Sequence, residues 1–137
     1  MLLIRPHHIN CIFFFKGLGY NFEFTSNMKN IISQLRNKPD THIKLVSQCD
    51  SLCKYCPNKT NNSTCIFENN VSLLDFNTLK YWELQNDHEY SFKEIINNIY
   101  RNYNCNTFIK ICSRCEWFKK GICSKDLIYE YKKKWLI

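Results

Sequence analysis

Apolar residues along this chain recur mostly at helical spacing, broken by short alternating stretches and one long polar segment. Leu2, Leu3 and Ile4 predict a short strand that ends at Arg5-Pro6. Pro6 suits the first turn of a helix carrying His7, His8, Cys11, Ile12 and Phe15, and Gly17 and Gly19 mark the turn after it. Phe24, Met28, Ile31, Ile32 and Leu35 predict a second helix over Phe22 to Asn37, stopped by Pro39-Asp40. His42 to Ser47 alternates polar with apolar residues and reads as a strand, the natural partner of Leu2 to Ile4.

Cys49 to Thr64 has loop composition, crowded with Asn, Ser and Thr. A helix follows over Asn70 to Leu84, burying Val71, Leu74, Leu79 and Trp82. Ser91 with Glu94 three residues on matches a capping box opening a helix from Phe92 to Tyr103. Thr107 is placed to cap a short helix into Cys112, and a last helix spans Lys125 to Trp135 with Leu127, Ile128 and Tyr131 on one face. The expected fold is mainly α (α+β): a small helical metal-binding domain with a short two-stranded β element. All 137 residues form one domain, with a basic C-terminal helix at about 125–137.

With 45% hydrophobic and 15% aromatic residues the chain can build a core. Three glycines exclude a glycine-rich phosphate loop and a dinucleotide fingerprint, which need several at fixed spacing. The N-terminal apolar stretch, Ile12 to Phe15, is far shorter than the roughly 7–15 residues of a signal peptide core. No run approaches the roughly 18 residues of a membrane span. A cytoplasmic protein without membrane contact is expected, and there thiols stay reduced.

That compartment decides how nine cysteines should be read. An odd count disfavours a closed disulfide framework. Cys53-x2-Cys56 is followed after eight intervening residues by Cys65, and Cys112-x2-Cys115 after seven by Cys123. Two sulfurs on a tight turn can face one ion or cluster while a third returns on a loop. Lys54, Tyr55, Ser113, Arg114 and Glu116 surround these cysteines, which is poor company for thiols that merely pack. Cys49 and Cys105 stand outside the two units and suit that plainer role. Cys11 is a candidate seventh ligand and His7 or His8 an eighth; His8 and Cys11, three apart, share a helix face. A lone helical histidine is nevertheless more often a hydrogen-bonded residue than a ligand. His42 and His88 read as surface residues.

Zinc knuckles commonly place glycine soon after the second cysteine, and neither unit has one; Pro57 follows Cys56 and Glu116 follows Cys115. Sulfur ligation beside Tyr55, Phe67, Trp117 and Phe118 suits a shielded iron–sulfur cluster. The run Arg5-Pro6-His7-His8-Ile9-Asn10-Cys11, the Gly17-x-Gly19-Tyr20 turn with Phe24 and Asn27-Met28, Asp50-x2-Cys53-x2-Cys56-Pro57, Cys65, and Ile111-Cys112-x2-Cys115-x-Trp117 with Cys123 together resemble one family. It is the domain of unknown function 1284 family, small proteins described as iron–sulfur-binding. The resemblance spans Leu3 to about Cys123 and implies that Cys11, Cys53, Cys56, Cys65, Cys112, Cys115 and Cys123 are the family's cysteines. Ile9-Asn10 departs from the usual pair of leucines before Cys11.

Net charge is +7, and residues 101–137 hold nine Lys or Arg against three acids. Lys132, Lys133 and Lys134 lie beside Tyr129, Tyr131 and Trp135. That interleaving suits nucleic acid, but a solvated face on a terminal helix with Trp135 packed inward is favoured over it. No serine–histidine–acid arrangement or paired-carboxylate signature is readable. The leading expectation is an iron–sulfur protein with one or two clusters, 4Fe–4S first, in electron transfer, redox sensing or cluster delivery to an unidentified redox or protein partner. The alternatives are a structural-zinc module that binds nucleic acid or protein, and a cluster-dependent enzyme with an unknown small substrate.

Overall fold

The computed structural model describes residues 2–15, 22–47, 50–51, 68–112 and 125–136. Strand β1 (Leu2–Ile4) leads into helix α1 (His8–Phe14), then α2 (Phe22–Asn37) and strand β2 (His42–Leu45). Helix α3 (Glu68–Tyr81), strand β3 (Glu89–Ser91), α4 (Phe92–Ile95), α5 (Cys105–Cys112) and α6 (Ile128–Trp135) follow. The architecture is mainly α with a small sheet, as the periodicity implies.

The sheet has three strands, in the order β1-β2-β3. Leu2 to Ile4 pair in parallel with Ile43 to Leu45, the pairing read from the sequence. The two-stranded expectation is extended by β3, antiparallel to β2, with Ile43 opposite Tyr90. Three residues, Glu89-Tyr90-Ser91, carry too little alternation to announce a strand, and only pairing with β2 reveals it.

Helix α4 opens as expected, with the Ser91 N–H donating to Glu94 Oε2 at 3.2 Å. Beyond Ile95 the helix widens into a π-helical turn over Ile96–Tyr100 and stops short of Tyr103. Thr107 does not cap α5. The helix begins at Cys105, and Asn104 Oδ1 accepts the Thr107 N–H at 2.9 Å. Helix α3 ends at Tyr81, short of Leu84, where Leu84 N–H returns to Leu79 O at 2.9 Å around a left-handed Glu83 (φ 56°).

The core gathers α1, the apolar faces of α2, α4 and α5, the inner face of the sheet and α6 around Phe13, Phe14 and Tyr100. Phe13 stacks on Tyr103 with centroids 4.2 Å apart, and Phe14 packs against Phe108 at 4.9 Å. Trp135 is buried, donates its indole N–H to Phe13 O at 3.2 Å and lies under Arg36. The basic helix is thus held to the core by one face, while Tyr129, Lys133 and Lys134 are exposed on the other. His42 and His88 are exposed, as expected. Among the described residues no helix is long and apolar enough to cross a membrane.

Candidate functional site

The segment between β1 and α1 places its polar side chains inward. Arg5, His7 and Asn10 are buried, together with Asp50, Asp75 and Thr78 from elsewhere in the chain. Burying a charge is costly unless it is paired and hydrogen-bonded, and the partners are present. Arg5 grips Asp75 Oδ2 through Nε at 2.9 Å and through its second terminal nitrogen at 2.8 Å. The other carboxylate oxygen of Asp75 accepts the His7 backbone N–H at 3.0 Å and meets His7 Nδ1 at 2.6 Å.

Burial, and after it the neighbouring His8, hold the His7 pKa below its ordinary 6.5 despite the carboxylate. Burial pushes Asp75 up, but the hydrogen bond from His7 and the charges of His7 and Arg5 outweigh it, leaving Asp75 below its ordinary 3.8. The two directions together describe an ionised Asp75 whose charge partner is Arg5, receiving a hydrogen bond from a neutral His7.

A second dyad stands beside the first. His8 Nδ1 lies 2.6 Å from Asp50 Oδ2, which also accepts the Arg5 backbone N–H at 2.5 Å. The two imidazole rings are 4.3 Å apart, inclined by 50°. Residues 50–51 are pinned further: Ser51 N–H donates to Leu3 O at 2.9 Å, Leu3 N–H to Ser51 Oγ at 3.1 Å, and Asn27 Nδ2 to Ser51 O at 2.9 Å.

Below the dyads, Asn10 is the centre of a buried polar network. Its side-chain N–H groups reach Thr78 Oγ1 at 3.1 Å and His7 O at 3.3 Å, and its Oδ1 accepts from Tyr103 OH at 2.8 Å and Trp82 Nε1 at 3.3 Å. Thr78 donates onward to Leu74 O, and Tyr100 OH donates to Ile9 O at 2.7 Å. Burial, with a smaller contribution from Cys11 nearby, drives the Tyr100 pKa well above the usual phenol value, so it stays protonated as a donor.

Of the predicted site residues, Cys11 lies half-buried on α1, one turn after His8, and Cys112 is buried at the end of α5. Cys53, Cys56, Cys65, Cys115 and Cys123 fall outside the described residues. Among the described residues no three His, Cys, Asp or Glu side chains converge to hold a metal ion. Cys105 is half-buried at the start of α5.

Sequence reasoning missed Asp75 and Thr78. Both sit on the inward face of α3 with Val71, Leu74 and Leu79, a charge on an apolar stripe. That mismatch was the available signal.

A family model described as protein of unknown function (DUF1284) matches residues 19–121. The chain belongs to the DUF1284 family. The DUF1284 match includes Asp50, Cys53, Cys56, Cys65, Asp75, Cys112 and Cys115. Cys123 lies just beyond it, and the Arg5 to Cys11 run precedes it. No curated protein and no solved structure gives a significant match to this DUF1284 member.

Proposed function

We propose that this protein is a cytoplasmic iron–sulfur protein holding one or two clusters, 4Fe–4S first, and serving electron transfer or redox sensing. The observation that carries the reading is the pair of Cys-x2-Cys-then-Cys units, Cys53, Cys56 and Cys65 with Cys112, Cys115 and Cys123, alongside Cys11. His8 is a further candidate ligand through its spacing from Cys11.

The fold is compatible with that donor set. Three residues before Cys53, Asp50 is tied to Arg5 and His8, next to the helix that carries Cys11. Cys112 ends α5, whose Phe108 packs on Phe14 of α1. Both cysteine units therefore start from chain held against α1. Cys112 belongs to the core cluster that includes Phe14, Tyr103 and Phe108, and Cys11 packs against it, apolar surroundings in which hydrogen bonding and restricted solvent access set a cluster's potential. Bound there, a cluster would supply one-electron transfer.

Anaerobic purification followed by iron, acid-labile sulfide and zinc analysis tests the reading. Iron and sulfide in stoichiometric amounts, lowered by Cys53→Ser and by Cys112→Ser, are expected. A colourless protein with stoichiometric zinc and no sulfide overturns it in favour of a structural-zinc module. Unchanged metal content in Cys11→Ser removes Cys11 from the ligands.

A further inference from the structure

We propose that His7 and His8 together form a two-nitrogen donor set for a transition-metal centre, each ligating through Nε2. The sequence offers His7 or His8 as one ligand, with His8 favoured by its spacing to Cys11; that the two act as a pair emerges from the structure. Each Nδ1 faces a carboxylate oxygen at 2.6 Å, His7 on Asp75 and His8 on Asp50. A carboxylate accepts and cannot donate, so Nδ1 carries the hydrogen and a neutral ring keeps its lone pair on Nε2.

Neither lone pair is engaged among the described residues. Among the described residues every buried side-chain nitrogen and oxygen has a hydrogen-bond partner. Neither Nε2 has one there, since both rings bond through Nδ1. Neither atom is therefore fully buried, and the side chains retain 10% and 14% of their exposure.

The orientation is locked from behind. Asp75 is held by Arg5 and by the His7 backbone, and Asp50 by the Arg5 backbone, so neither carboxylate can turn away without losing those bonds. A histidine whose Nδ1–H is fixed by a carboxylate is the arrangement that orients metal-ligating imidazoles and raises their basicity. Here it occurs twice, on rings 4.3 Å apart. Paired imidazole nitrogens select zinc, iron, cobalt, nickel or copper over calcium and magnesium. Two donors leave further coordination positions open. The centre is either a divalent ion completed by water or an incoming ligand, or an iron of the sulfur-bound cluster. The first case needs no cysteine and stands apart from the cluster reading.

The test uses the full chain, purified anaerobically with whatever metal it carries, and adds Zn2+. One equivalent beyond that metal content is expected if the pair holds its own ion. Its affinity should fall at least about tenfold in His7→Gln and in His8→Gln, and about 10–100-fold in Asp50→Asn. If the chain carries iron and sulfide, pulsed electron paramagnetic resonance of the reduced protein reads the other source as 14N couplings that vanish in the same variants. Nitrogen-15 spectra of the wild-type histidines, diamagnetic and before zinc is added, require no variant to fold and should show Nε2 unprotonated in both rings. A proton on Nε2 of either ring overturns the proposal. So does the absence of both the added equivalent and the nitrogen couplings. An added equivalent in a chain lacking sulfide would support the pair while removing the cluster.

Discussion

His7 meets Asp75 at 2.6 Å, yet it is Arg5 that balances the charge of Asp75. Burial keeps the imidazole neutral, while the guanidinium cannot lose its proton. The contact that looks like a second ion pair is thus a hydrogen bond that orients a ring.

This arrangement makes stability fall in acid. Unfolded, His7 takes up a proton near its ordinary 6.5; folded, it resists until a lower pH. The unfolded state then binds more protons, so stability drops as pH falls below 6.5 and levels off beneath the folded value. Asp75, held below 3.8, acts in the same direction: stability present above 3.8 is lost as pH falls through its folded value. Urea unfolding across this range should show the decline. His7→Asn should flatten the step below 6.5 by up to about 1.4 kcal/mol per pH unit. An unchanged slope in that variant would refute the assignment.

Asp75→Asn is expected to cost about 3–5 kcal/mol, because it takes one partner out of a buried ion pair with Arg5 and weakens the acceptor that holds His7. The side chains of Arg5 and Asp75 are 1% and 3% exposed, so water cannot take over. Arg5→Met combined with Asp75→Leu should recover part of that loss, since removing both charges also removes their desolvation cost. Denaturation midpoints of the single and double variants check it.

Trp135 and the lysines before it should separate cleanly. Trp135→Ala empties a buried indole site and breaks the bond to Phe13 O, for about 3–5 kcal/mol. Lys133 lies over the exposed Tyr129 ring, and Lys133→Gln should stay within about 0.5 kcal/mol. Comparable losses in both variants would mean that the basic face is also held against the core.

At the end of α3, Glu83 occupies the left-handed position where glycine is usual. Glu83→Gly should raise stability by about 0.5–1 kcal/mol, the relief of the side-chain clash less the extra freedom of glycine when unfolded. Thermal unfolding reads the sign directly.

The sequence by itself determined the helical class, the parallel pairing of Leu2 to Ile4 with the strand after α2, the inward face of α2, the inward Trp135 and family membership. All rest on periodicity or local residue chemistry, which a linear string displays. The start of α5, the π-helical end of α4 and the third strand were set by packing and pairing, for which local propensity is a weak guide. Tertiary structure alone decided the two dyads. Arg5, His7 and His8 are neighbours in sequence, but their partners Asp50 and Asp75 lie 42 to 70 residues away. No spacing rule links them, because a polar residue is admitted to the interior only where the fold delivers its complement.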